Sequence, residues 1–297
     1  MKIGVLGAGA YGAALAGILR ENGHGVRFYD PVKLPNSSLA SVLAWAETIL
    51  LATPAHVVRL LLDNFPPEAF LKPALVATKG LMSLETWEQF RYFELISGPG
   101  FADDIRKRKK TKLTVAARRA LEGQTLTESL LSTSYLKFDK TEDLTGVALL
   151  SGLKNLFAIE SGRRGLKPND PQNPQDFKVF IASAYRECEQ TLLLNGGFVE
   201  TVRLSAGLGD LALTCGSTKS RNYQFGTLLA STTPHSNRLK TNLSRAKNTK
   251  ALKHFLKTTT VEGVFAAQEI ATQNIFVPKD NEILTDILRR IHHATQR

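Results

Sequence analysis

Residues 1–30 read MKIGVLGAGAYGAALAGILRENGHGVRFYD. A short apolar run, residues 2–6, passes directly into three glycines spaced Gly7-x-Gly9-x-x-Gly12, and a helical pattern follows. That order of strand, glycine turn and helix gives each glycine a task. Gly7 allows a tight turn out of the strand, Gly9 lets backbone approach a pyrophosphate, and Gly12 lets the helix pack on the strand. The helix would then direct its unpaired N–H groups and positive dipole end at the phosphates. Asp30 ends the next strand pattern, where a carboxylate accepts from a ribose 2′-hydroxyl and repels a 2′-phosphate. The stretch predicts a dinucleotide site with a preference for NADH over NADPH, tempered by Lys33 nearby.

Working outward, β-type runs at 25–29, 48–53, 74–78, 93–97, 112–117 and 135–138 alternate with helical patterns at 11–22, 55–64 and 83–91. Several runs, such as TILLAT and PALVAT, are almost continuously apolar, which suits strands of a parallel sheet covered on both faces. The alternation predicts a doubly wound α/β domain. From Asp143 the pattern turns helical, and Asp143 is placed to cap a helix carrying LTGVALLSGLKNLFAIESG. Val147, Leu150, Ser151, Lys154 and Ala158 recur at the spacing of one helix face. DFKVFIASAYRECEQTLLLNG and VEGVFAAQEIATQN also read as helices, and 166–175 as a Pro/Asn/Asp loop. The expected division is a dinucleotide-binding domain over 1–143 and an all-α substrate domain over 144–297.

The length, 297 residues, agrees with about two domains at roughly 150 residues each. A formal charge of +11 favours anionic partners. Two cysteines without a C-x-x-C argue against a disulfide framework or structural zinc, and no histidine cluster suggests any metal. No secretory signal and no apolar run near the ~20 residues of a membrane span are present, so a cytoplasmic protein is expected. The one charge run, RKRKKTK at 106–112, lacks interleaved aromatics and reads as a solvated surface rather than a nucleic-acid site.

Seven motifs in order, GAGAYGAALA, VATKG, SGPGFA, GLKN, GLGDLALTC, SRNYQFG and VEG, resemble the NAD(P)-dependent glycerol-3-phosphate dehydrogenase family. The resemblance runs from residue 1 to about 265 and implies a Rossmann-type first domain with a helical second one. It implies hydride transfer between NAD, or NADP, and C2 of dihydroxyacetone phosphate, a small phosphorylated three-carbon substrate, by a homodimer. Lys154 matches the family's proton acceptor. A lysine serves in both directions where burial or a second cation favours its neutral amine. Lys79 matches a lysine touching cofactor and substrate. Asp210 matches a substrate-site aspartate, with Thr214 one helical turn on; as a plain structural alternative Asp210 is a helix N-cap. Ser220, Arg221 and Asn222 match a phosphate clamp, in which a guanidinium makes bidentate contacts; Arg221 also meets the cofactor. Gly98 and Gly100 match substrate contacts. Ala10, Tyr11, Ala102 and Glu262 match cofactor contacts, although Glu262 reads equally as an exposed helix-start residue.

The sequence departs from the family in several places. Gly100 stands where a small hydroxyl residue is usual, the 30–48 segment is a couple of dozen residues short, and 163–178 is rich in proline. Two other functions fit parts of the pattern: a related two-domain dehydrogenase acting on a hydroxy acid, and a catalytically inactive dinucleotide sensor. The phosphate clamp disfavours the first, and Lys79, Lys154, Asp210 and Arg221 together disfavour the second.

Overall fold

The computed structural model describes residues 1–78, 80, 83–232 and 242–295. Among them the first half forms a seven-stranded sheet: β1 Lys2–Leu6, β2 Gly25–Tyr29, β3 Thr48–Leu51, β4 Ala74–Val76, β5 Phe93–Ser97, β6 Thr111–Ala116 and β7 Leu136–Thr141. The spatial order is β2-β1-β3-β4-β5-β6-β7. The first five strands are mutually parallel, and the strand order reverses at β1 and β3. Such a reversal leaves a crevice outside the carboxyl ends of the strands, which is where doubly wound sheets bind ligands.

The sheet is not parallel throughout, contrary to the expectation from its apolar runs. β6 pairs antiparallel with β5, and β7 pairs parallel with β6, so both run opposite to the rest. The connection from β5 to β6 explains the reversal. Its helix α5, Ala102–Arg106, has five residues and spans only about 7 Å. A five-residue strand is roughly 17 Å long, so this helix cannot return the chain to the sheet's starting edge. The remaining helices of this half are α1 Ala10–Glu21, α2 Leu39–Trp45, α3 Ala55–Leu62, α4 Leu84–Glu88 and α6 Leu126–Leu131. α4 is shorter than the 83–91 pattern predicts, and α2 forms within the short 30–48 segment.

The basic run 106–112 is exposed over Arg106–Lys110 and partly neutralised. Arg106 pairs with Asp103, Lys109 with Asp104, Arg108 with Glu21 and Lys112 with Asp139.

The second half is helical: α7 Leu144–Arg164, α8 Asp176–Leu194, α9 Asp210–Gly216, α10 Arg221–Thr232, α11 Asn242–Thr258, α12 Glu262–Thr272 and α13 Glu282–Thr295. Asp143 caps α7 as its position predicts, accepting from Gly146 N–H at 2.7 Å. Its other oxygen accepts from Phe198 N–H and Thr201 Oγ1, which ties the start of α7 to the 199–203 turn. α7 has no solvent face. Sixteen of its residues, Gly146, Val147 and all of Leu149–Gly162, are buried, so the single amphipathic face expected from the sequence is replaced by burial on all sides. α10 approaches closely enough that a Cβ on Gly162 would meet Tyr223 O at 2.0 Å. Cys188 and Cys215 are both free and buried in this core.

Candidate active site

The glycine loop between β1 and α1 carries the geometry its spacing implies. Gly7 has φ +108, and a Cβ there would lie 2.7 Å from Ala52 O at the end of β3. A Cβ on Gly12 would lie 2.2 Å from Gly7 O, so only glycine lets α1 begin this close to β1. Around Gly9 there is no heavy atom within 4 Å of a notional Cβ. That open space beside the start of a 12-residue helix is what a pyrophosphate needs. Thr53, just past β3, adds a buried hydroxyl with no partner among the described residues. Open space, helix start and unused hydroxyl together fit a bound dinucleotide.

Asp30 is already engaged. Its Oδ2 accepts from Ala8 N–H of the glycine loop at 2.8 Å, and its Oδ1 from Val32 and Lys33 N–H at 3.0 and 2.9 Å. Burial alone would raise this carboxyl, but the three backbone donors, aided by the Lys33 charge, outweigh it and hold the group below the usual carboxylate range. The residue therefore braces the loop, and capacity to accept from a ribose hydroxyl remains mainly on Oδ2.

Across the crevice stands the second half. Lys154, on the middle of α7, ion-pairs with Asp210, the first residue of α9, and the two side chains are only 8% and 7% exposed. Thr214 Oγ1 donates to the other Asp210 oxygen at 3.2 Å. Asp210 is thus not the N-cap that a local reading offers. It lies one residue inside α9, after a π-type turn, Ser205–Gly209, in which Gly207 departs from helical geometry. Its carboxylate faces α7 instead of its own helix end.

Tyr11, on the first turn of α1, senses this pair. Its phenol is driven well above the usual range, by burial first and then by the negative charge of Asp210. The loop after β5 closes the gap between the halves. Gly98 has φ +141, Gly100 packs on Leu113 with the Tyr11 hydroxyl 3.7 Å from its notional Cβ, and the Pro99 ring lies against Gly209. Ala102 begins α5 at the far side of this loop.

The SRN segment opens α10. Ser220 Oγ accepts from Tyr223 N–H at 3.5 Å. Arg221 is half exposed and ion-paired with Glu262, the first residue of α12, while Glu262 is buried rather than exposed. One guanidinium N–H goes to this pair, and the others remain for an anion. Asn222 is committed inward: its Nδ2 donates to Asn155 Oδ1 at 2.9 Å and its Oδ1 accepts from Gly263 N–H at 2.9 Å. That chain of bonds fixes α7, α10 and α12 together and leaves one Asn222 N–H for a ligand.

Lys79 lies outside the described residues. Its neighbour Gly80, at φ +113, is held by Ser151 Oγ at 3.3 Å. The sequence reading gave no role to Asn155, Ser151 or the strand-end hydroxyls of Thr53, Thr78 and Ser97, which the structure brings beside the site. A signal for the last three does exist, since each falls just past or at the end of a strand in ATP, ATK and ISG.

Comparison with known proteins gives a consistent result. A family model described as NAD-dependent glycerol-3-phosphate dehydrogenase C-terminus matches residues 143–294, and its N-terminus counterpart matches residues 2–33. The second match ends where the sequence becomes short. A protein of Jannaschia sp. (strain CCS1) named glycerol-3-phosphate dehydrogenase [NAD(P)+] is 31% identical over 260 residues, covering 77% of this chain and 81% of its own. One of the same name from Agrobacterium fabrum is 31% identical over 264 residues, covering 77% and 79%. The solved glycerol-3-phosphate dehydrogenase of Coxiella burnetii superposes with a TM-score of 0.73 at 22% identity, covering 100% of this chain and 99% of that one. This likeness shows a shared fold.

Proposed function

Because the chain belongs to the NAD-dependent glycerol-3-phosphate dehydrogenase family, we propose that its crevice reduces dihydroxyacetone phosphate to sn-glycerol 3-phosphate, a glycerophospholipid precursor, and runs the reverse oxidation. NAD(P)H supplies a hydride to C2 of the ketone when bound. The work of the chain is to hold two anions and to move one proton.

Lys154 Nζ gives its proton to the C2 oxygen as negative charge develops there, and takes it back in the oxidative direction. Asp210, steadied by Thr214, keeps the amine aimed and balances its charge between turnovers. Ser220, Arg221 and Asn222 clamp the substrate phosphate, with Arg221 as the charge-assisted member. Gly98 and Gly100 border the three-carbon chain. Lys79 touches both ligands, and Ala10, Tyr11, Ala102 and Glu262 contact the dinucleotide. Gly7, Gly9 and Gly12 shape the pyrophosphate cradle, and Asp30 favours NADH. These roles rest on the match of residues to the family motifs, and the geometry above supports those of Lys154, Asp210, Arg221 and the glycine cradle. Residues 1–143 form the dinucleotide-binding domain and 144–297 the substrate domain. We place the working enzyme in the cytoplasm as a homodimer, on the same resemblance.

The observation that carries the reading is a lysine–aspartate pair buried at the crevice opposite an intact glycine cradle, with a second cation, Arg221, at a helix start nearby. Loss of reduced-nicotinamide absorbance on adding dihydroxyacetone phosphate, with unphosphorylated dihydroxyacetone as control, tests it. Equal rates with the two ketones, or none with either, reject it.

A further inference from the structure

The carboxyl ends of β4 and β5 hold two hydroxyls that the reaction above does not use. Thr78 Oγ1 and Ser97 Oγ are buried and have no hydrogen-bond partner among the described residues. Both face α7. Ser97, in β5, shares a face with Leu95, and Thr78, two residues past β4, lines the same cavity as Val76, Leu95 and Val147 of α7.

Between these walls lies a cavity of about 20 Å³, lined by Thr78, Gly80, Trp87, Ser97, Val147 and Ser151. A water molecule needs roughly 10–15 Å³ and two to four polar partners. The size suits one water. The third hydroxyl on the wall, Ser151 Oγ, accepts from Gly80 N–H at 3.3 Å and donates to Gly80 O at 3.5 Å. Ser151 precedes Lys154 by three residues on α7 and so shares its face. Gly80 follows Lys79 in the chain.

We propose that Thr78, Ser97 and Ser151 hold one buried water molecule between the sheet and α7, and that this cluster is a positioning element for Lys154. The water satisfies the two strand-end hydroxyls together, and Ser151 pins the Gly80 turn beneath α7. The position of the amine over the crevice is thereby tied to the ends of β4 and β5 as well as to Asp210. The positioning role rests on the proposed reductase function; the water site does not.

A high-resolution crystal structure decides the first part. The expected result is a single ordered peak about 2.5–3.2 Å from both Thr78 Oγ1 and Ser97 Oγ. An empty cavity, or both hydroxyls turned onto backbone carbonyls, overturns it. Kinetics decides the second part. Thr78→Val keeps the shape and removes one partner, and Ser97→Ala removes the other. Each is expected to lose the water and to lower kcat for dihydroxyacetone phosphate roughly tenfold to a hundredfold, the scale of a small misplacement of a reacting group. KM for NADH is expected to stay within about twofold. Thr78→Ser, which retains the hydroxyl, is expected to keep the water and the rate. Loss of the water with kcat unchanged overturns the positioning role. Should Thr78→Val fail to fold, Ser97→Ala carries the same comparison. If wild type leaves the triose phosphate untouched, the reductase reading fails, and the peak beside Thr78 and Ser97 still decides the water site.

Discussion

Replacing Asp210 by Leu while leaving Lys154 in place exposes what the buried pair contributes. Both side chains are more than nine-tenths buried, so solvent does little to screen the charge left behind. Removing one member of such a pair strands an uncompensated charge and costs about 3–5 kcal/mol. For a cooperative unit of 150–250 residues, each kcal/mol moves Tm by roughly 2–4 °C, so the variant should melt roughly 6–20 °C below wild type. The double variant, Lys154→Met with Asp210→Leu, removes both charges in favour of apolar groups of similar size. Such replacements are neutral or stabilising by about 1–4 kcal/mol, so most of the lost Tm should return. Thermal unfolding of the ligand-free protein at neutral pH, followed by near-ultraviolet circular dichroism, measures all three. The reasoning is refuted if the double variant melts as low as Asp210→Leu. It is refuted equally if Asp210→Leu stays within about 0.5 kcal/mol of wild type, the ordinary scatter of surface substitutions.

Three further outcomes follow from the same geometry. Lys154→Ala should cut kcat by about 10²–10⁴, the usual worth of a positioned proton donor, while NADH titrated by fluorescence binds nearly as before. Gly9→Ala and Gly12→Ala should separate binding from folding. Gly9 faces open space, so its alanine variant folds normally but weakens NADH binding, whereas Gly12→Ala drives a Cβ to 2.2 Å from Gly7 O and lowers Tm. Asp30→Asn turns an amide N–H toward Ala8 N–H, where the carboxylate accepts a bond. Because the folded state holds the Asp30 carboxyl low, its contribution to stability is present above the unfolded value near pH 4 and lost as pH falls through the lower folded value. The Tm gap between wild type and Asp30→Asn should therefore be full at pH 7 and close on acidification; a gap that widens toward acid contradicts the assignment.

What the sequence discloses depends on how far apart the partners lie. The glycine loop is readable because Gly7, Gly9, Gly12 and the flanking strand and helix are consecutive, and local sterics suffice to assign each one. The Asp143 cap is readable for the same reason, since its partner Gly146 is three residues away. Strand direction is not local. Apolar runs report burial of both faces, which β6 shares with the mutually parallel strands β3–β5, and the direction of β6 is set by a connection whose helix α5 is too short to carry the chain back across the sheet.

The same distinction separates a residue's presence from its state. Lys154 stands in a recognisable motif, yet a helical-periodicity reading puts it on a polar edge, because the pattern cannot show that α9, α10, α12 and α13 enclose α7. Its counter-charge is 56 residues away, and that of Arg221 is 41 residues away. Neither spacing corresponds to any helix or strand period, so no pattern search within one element pairs them. Asp210 shows the consequence most directly. Judged by its neighbours it is a helix cap, and a cap needs its own carboxylate turned back on the helix. The π-type turn at 205–209 carries Asp210 past the cap position and frees that carboxylate for α7. Gly207, with φ −90 and ψ −107, is the non-helical residue at which that turn kinks. Substituting Gly207 brings a Cβ to 2.0 Å from Val202 O, so it should disturb the Lys154 environment without touching either charge.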